Sequence, residues 1–200
     1  MSPRKYDRTR RDAAVEETRR RIVAATLELH AEQGIRATSW DEIAARAGVG
    51  VGTVYRHFPS LRELVPACGV VTFERLALPD AAAASRALAG ARGRRARLRR
   101  LVQELFALYE RGAAEIGNVR RERGDPELPM LVDAHRLVES SLDGLVAEAL
   151  RPLGLARDAH AVTRALTDLA VWRSLREQGL TGERAVEVTV AALSGALRPR

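Results

Sequence analysis

Apolar side chains recur along this 200-residue chain at the three- and four-residue spacing of helices, and no stretch alternates apolar and polar residues with β-branched enrichment. A first helix is expected from about Asp12 to Gln33, with Ile22, Thr26 and Leu29 on one face, Val15, Ala25 and Ala31 nearby, and Gly34 as its stop. Ser39-Trp40-Asp41-Glu42 reads as a capping box that opens a short second helix, ended by Gly48. A third short helix begins near Gly50 to Gly52 and ends before Pro59. Ser60 caps a fourth, which carries Leu61, Leu64, Val65, Cys68 and Leu76 inward; Pro66 either kinks it or marks a later start. Residues 79–93 read as a weak helix between linkers. Long helices follow over about 94–123 and from Pro129 to near Pro152, and the last two cover about Arg157 to Gln178 and Gly182 to Arg198. Gly179 closes the first of that pair and Thr181 caps the second. The expected fold is therefore all-α.

No run of 18 apolar residues exists, so no transmembrane helix is expected, and the polar start up to Arg11 is not followed by the apolar core of a secretion signal. The expectation is a cytoplasmic protein with no membrane partner. The single cysteine, Cys68, excludes an internal disulfide and any cysteine-based metal centre, and it is expected to be buried on the fourth helix. His30, His135 and His160 stand apart, with no zinc or di-iron spacing, so neither a metal nor a cofactor is expected.

Charge changes the picture. The chain has 33 Lys+Arg against 26 Asp+Glu. Residues 1–62 carry 12 basic and 8 acidic groups, and Arg92–Arg100 holds six arginines and no acid. A basic surface attracts polyanions, nucleic acid first, although GC-rich coding alone also produces arginine-rich chains. The arginine run reads as a solvated loop and helix start more readily than as a second DNA surface. Arg4, Lys5, Arg8, Arg10 and Arg11 precede the first expected helix without apolar anchors. That arm is expected to be disordered when free and to add phosphate contacts.

The informative stretch is Thr38 to Phe58, TSWDEIAARAGVGVGTVYRHF. Two short helices flank Gly48-Val49-Gly50, the arrangement of a helix-turn-helix over about 38–57, in which the second helix enters the major groove. Ile43, Ala44, Ala47, Val49 and Val54 point inward in this reading. Val51, Gly52, Thr53, Tyr55, Arg56 and His57 are left for the outer face. A phenol, a guanidinium and an imidazole in succession suit phosphate and base-edge contacts, while Tyr55 and His57 can also plug a small core.

These residues resemble the DNA-binding domain of TetR-family (TetR/AcrR) transcriptional regulators. Thr38, Ile43-Ala44, Ala47-Gly48-Val49, Gly52-Thr53, Tyr55, His57-Phe58, Ser60 and Leu64 stand in the family's register over about residues 15–65. The chain departs at Gly50, where the family has a serine cap, and at Leu61, where a lysine is usual; Arg62 can substitute for that lysine. The resemblance implies a DNA-binding set of Thr38, Ser39, Gly50, Val51, Gly52, Thr53, Tyr55, Arg56, His57 and Arg62. It implies a three-helix DNA-binding domain over 12–65 and a larger helical-bundle ligand-binding and dimerisation domain over 66–200. Double-stranded DNA with an inverted-repeat operator, a second copy of the chain and a small-molecule effector are the implied partners.

Beyond residue 65 residue physics must serve. Phe73, Phe106, Tyr109 and Trp172 are either ordinary core or the lining of an apolar ligand cavity. The last helix carries an apolar stripe (Val186, Val190, Leu193, Leu197) and a second one of mostly small residues (Ala185, Val188, Ala192, Ala196), so it is expected to pair across a two-fold axis together with the helix before it. The leading expectation is a repressor released by a ligand. The alternative is a DNA-binding regulator governed by a protein partner or assembly. A helical enzyme lacks convergent titratable residues.

Overall fold

The computed structural model describes the backbone from Pro3 to Leu197 and side chains from Arg10 onward. Its elements are α1 (Pro3–Gln33), α2 (Trp40–Ala47), α3 (Val51–His57), α4 (Leu61–Leu76), α5 (Ala81–Ala87), α6 (Arg94–Glu122), α7 (Met130–Leu150), a one-turn 3₁₀ helix (Arg151–Leu153), α8 (Ala159–Leu166), α9 (Leu169–Glu177) and α10 (Gly182–Ala196). Among the described residues every element of regular structure is helical, as the apolar spacing requires. The chain forms two compact units. One contains Met1–Glu74 with Asn118–Val132, and the other Arg75–Gly117 with Asp133–Arg200. The first unit thus takes in the end of α6 and the start of α7 besides the N-terminal helices.

In the first unit α1 packs on α2, and α2 on α3. Ile22, Ala25, Leu29, Ile43, Ala44, Ala47, Val54, Phe58, Leu64 and Cys68 make one buried cluster. Helix α1 starts at Pro3, well ahead of the expected Asp12. Proline suits a first helical position and no glycine interrupts before Gly34, so nothing in the sequence stops the helix earlier. The side chains of Arg4, Lys5 and Arg8 lie outside the described residues; those of 10–17 are exposed. Val15 and Ala31 are exposed too, contrary to their expected place near the core: Val15 precedes Ile22, where the buried face of α1 begins, and Ala31, nine residues on from Ile22, falls on the opposite side of the helix. Helix α4 runs through Pro66 without a break from Leu61. The Cys68 thiol is buried, which pushes its pKa up to about 12 and keeps it protonated.

In the second unit four arginines cap helix ends. The last carbonyls of a helix have no partner within it. Arg111 donates to Leu76 O at the end of α4 (3.1 Å), and Arg100 to Ala87 O at the end of α5 (2.8 Å). Arg97 donates to Ala149 O and Glu148 O at the end of α7 (2.9 and 2.7 Å), and Arg94 to Ser194 O (3.0 Å) and Leu197 O at the end of α10. The arginine run is thus solvated in part, with Arg92, Arg95 and Arg100 exposed, and also bonds inward: Arg94, Arg97 and Arg100 hold helix carbonyls, and Arg95 and Arg99 pair with Glu187.

The expected helix over 157–178 is two helices. Asp168 leaves helical geometry (φ −64°, ψ 154°), and its carboxylate accepts from Ala170 N–H at 2.9 Å. Such local side-chain bonds compete with the helical ladder. The carbonyl of Thr167, at the break, accepts from the buried Tyr109 hydroxyl at 3.0 Å. Gly179 (φ +78°) then closes α9, with Leu180 N–H reaching back to Leu175 O. Thr181 precedes α10 as expected, but its hydroxyl makes no capping bond.

Helix α6 bends at Gly112, which leaves helical values (φ −158°, ψ 33°). A Cβ there would lie 2.1 Å from Leu76 Cδ2, and Leu76 is itself buried. Gly112→Ala is expected to lower stability by about 1–3 kcal/mol, since overpacking forces neighbours off their rotamers. Gly69→Ala, inside α4 with open space around it, is expected to raise it by roughly 0.5–1 kcal/mol. Denaturant unfolding of both variants reads the contrast.

His30, at the end of α1, is buried, and burial lowers its pKa from 6.5 to about 4. Its folded pKa lies below the unfolded one, so its contribution is fully present above pH 6.5. As pH falls from 6.5 towards 4 the unfolded chain takes up the proton first, and up to about 3 kcal/mol of stability is lost. Unfolding curves at pH 7 and 4.5 should show a distinctly smaller loss for His30→Phe than for the parent.

Candidate nucleic-acid interface

The turn between α2 and α3 is built by local chemistry. Ser39 Oγ accepts from Glu42 N–H at 3.2 Å, while the Glu42 carboxylate accepts from Ser39 N–H at 2.8 Å, completing the capping box. The Ser39 hydroxyl also donates to the Glu42 carboxylate at 2.7 Å; that bond first, then those from Ser39 N–H and Gln33, hold the Glu42 carboxyl below its usual range. At the other end of α2 Gly48 adopts φ +65°, a conformation that favours glycine, and Val49 N–H reaches back to Ala44 O at 3.0 Å. Arg21 of α1 donates to the carbonyls of Ala47 and Gly48. Arg19 donates to His57 O at 3.4 Å and lies 4.2 Å above the Phe58 ring, so one helix carries the caps for both helices of the motif.

The inner side of α3 is Val54, with Phe58 just past its end, both at 0% exposure. The outer side is open: Tyr55 is 44% exposed, Arg56 and Gly52 are exposed, and Val51, Thr53 and His57 are half-buried. Val49 is half-buried against the core. Gly50 starts α3 without a side-chain cap, as its lack of a hydroxyl dictates. No atom lies within 4 Å of the place a Cβ would take at Gly50 or Gly52, so the first turn of α3 presents bare backbone to an approaching surface. The Arg56 guanidinium has no hydrogen-bond or ion-pair partner among the described residues.

The remaining residues of the DNA set are more committed. Thr38 Oγ donates to Gly34 O at 2.8 Å, Ser39 caps α2, and Arg62 donates to Pro126 O at 3.3 Å. The structure adds a residue outside that set: Trp40, whose ring pairs with that of Tyr55 at 4.9 Å between centroids and a 32° tilt. The pairing joins two helices, which sequence spacing within one helix cannot reveal.

In the second unit Phe106, Tyr109 and Trp172 form one aromatic group, with centroids 6.4 Å (Phe106–Tyr109) and 5.9 Å (Tyr109–Trp172) apart. Phe106 and Trp172 line a pocket of about 170 Å³ with Ala185 and Val186, while Tyr109 is wholly buried and its hydroxyl is used. Phe73 is half-buried in the first unit. A larger half-open cavity of about 390 Å³ lies elsewhere in the second unit, between the start of α5 and α7, lined by Leu78, Pro79, Ala84, Leu137, Asp80 and Glu148 among others.

Residues 22–68 match the family model of bacterial regulatory proteins of the tetR family. The chain is 28% identical over 199 residues to the HTH-type transcriptional repressor KstR of Rhodococcus jostii, covering 91% of this chain and 85% of that protein. Its fold is similar to the crystal structure of a transcriptional regulator from Rhodococcus sp. Rha1, at a TM-score of 0.63 and 20% identity, with 90% of this chain and 97% of that one covered. It is also similar to the TetR-like regulator LfrR from Mycobacterium smegmatis, solved in complex with proflavine, at a TM-score of 0.57 and 23% identity, covering 92% and 99%. Motif, relatives and fold point the same way: residues 22–68 match the DNA-binding domain of the tetR family, and the proteins similar to most of the chain are transcriptional regulators.

Proposed function

We propose that this protein is a cytoplasmic repressor that binds an inverted-repeat operator as a homodimer and is released by a small molecule. The observation that carries the DNA reading is the outer side of α3, where an unpaired guanidinium, a half-exposed phenol and bare glycine backbone face outward from a fixed core. In this reading Gly50, Val51, Gly52, Thr53, Tyr55, Arg56 and His57 meet the major groove. Thr38, Ser39 and Arg62 lie at its edges, and their polar groups already serve internal bonds, so they contribute less. Kinship with a protein named as a repressor supports repression.

For the effector, the cavity of about 390 Å³ falls within the range of small-molecule sites. It supports ligand release better than the aromatic group does, because Tyr109 is closed core and the pocket beside Phe106 and Trp172 is small. Asp80 and Glu148 line the larger cavity and, among the described residues, no basic side chain does, so an anionic ligand fits it poorly. The proflavine complex of LfrR supports small-molecule control in a protein of the same fold. The second reading, a regulator without such a ligand, draws on the close packing of the aromatic group.

The dimer reading rests on α10. Val186, Val190, Leu193 and Leu197 are buried, and so is Ala185, which leaves the second stripe. Ala192 and Ala196 remain exposed and Val188 half-buried, so α10 has a small-residue side that its own core does not use. With α8 and α9 it is proposed to form a seam across a two-fold axis.

Selection of bound sequences from a random DNA pool is expected to return an inverted repeat with half-sites about 10 base pairs, or a multiple of one turn, apart. A pool that stays random would refute the operator reading, and a thermal-shift screen then tests the effector. Ala192→Arg is expected to give monomers with a folded head and operator affinity down by about a hundredfold or more, because two half-sites are no longer held together. Light scattering and a binding titration check both halves.

A further inference from the structure

The geometry points to Trp40 as a positioning residue for DNA binding, one that fixes the Tyr55 side chain on the reading surface. The inference rests on the proposed placement of Tyr55 at the DNA and goes beyond it, since the TetR pattern leaves position 40 open. Trp40 is the first residue of α2, directly after the Ser39 cap, and its ring is partly buried against the core of the first unit. It is thus anchored on two sides, by a capped backbone and by apolar packing. Tyr55 has neither support: it lies 44% exposed on the outer side of a seven-residue helix. Its hydroxyl has no hydrogen-bond partner among the described residues, and its one ring contact there is Trp40, at 4.9 Å and 32°.

A half-exposed tyrosine without that contact samples several rotamers, and ordering it on DNA costs affinity. A tilted ring pair at this separation is attractive beyond the area it buries. Trp40 therefore restricts the Tyr55 ring before DNA arrives, so less ordering remains to be done on binding. The effect acts through Tyr55 alone, which separates it from a general loss of stability.

The test is a double-mutant cycle on the full chain, titrated against the selected operator. Trp40→Ala is expected to weaken binding about fivefold, and Trp40→Phe, which keeps a ring, to stay within about twofold of the parent. In a Tyr55→Ala chain, itself bound more weakly, Trp40→Ala is expected to add less than about twofold, because the partner is gone. Trp172→Phe leaves Trp40 as the sole tryptophan, and its emission is expected to change on operator addition. Equal weakening by Trp40→Ala with and without Tyr55, or no rescue by Trp40→Phe at an unchanged melting temperature, overturns the inference. If Tyr55→Ala weakens binding and Trp40→Ala does not, the inference alone fails. If Tyr55→Ala leaves affinity unchanged, the placement of Tyr55 fails and the inference with it.

Discussion

A helix of seven residues has little stability of its own, so α3 takes its orientation from whatever it packs against. That anchor is Val54 and Phe58, sealed against Ile22, Ile43 and Leu64. Turning α3 by a third of a revolution would expose Val54 and bury Tyr55 or Arg56. Burying a guanidinium without a partner is costly, and so is exposing apolar core. The same two residues that close the core therefore decide which side chains face outward. The Gly48 turn and the Arg19 and Arg21 caps fix where the helix begins and ends, and Val54 and Phe58 fix its roll.

Arginine does structural work in both units. Arg21 and Arg19 close α2 and α3, and Arg111, Arg100, Arg97 and Arg94 close α4, α5, α7 and α10. A guanidinium presents several donors in one plane, which suits paired carbonyls at a helix end better than a lysine ammonium does. This gives a physical role to a chain with one lysine. It also means that net charge overstates the surface offered to a polyanion, since much of the Arg92–Arg100 run bonds inward.

The head was legible in the sequence because its signals are local. Ser39 and Glu42 three residues apart, a glycine where φ must be positive, and apolar residues at helical spacing each report on their own neighbourhood. The end of α1 was legible at Gly34, but its start was not, because charged residues without a breaker suit an arm and a helix equally. The break between α8 and α9 did have a signal, the Thr167-Asp168 pair, which reads as a cap inside an apolar pattern and was outweighed by that pattern. The bend at Gly112, the pairing of Trp40 with Tyr55 and the cavity beside α5 and α7 arise between segments far apart in sequence. Spacing along one helix carries no information about them. Of the four candidate ligand aromatics, Phe106, Tyr109 and Trp172 do gather, but burial makes Tyr109 core.

The proposed DNA reading divides labour across α3: Tyr55 and His57 hold the phosphate backbone while Arg56 and Thr53 read bases. Affinities of Tyr55→Phe and Arg56→Ala for the operator and for a scrambled duplex of equal length, at one salt concentration, test it most directly. Tyr55→Phe should lower both affinities by the same factor, since phosphate contacts carry no sequence information. Arg56→Ala should lower the ratio between them, a base-edge contact contributing about 1–3 kcal/mol of discrimination. An unchanged ratio for Arg56→Ala, together with an altered ratio for Tyr55→Phe, would contradict the account.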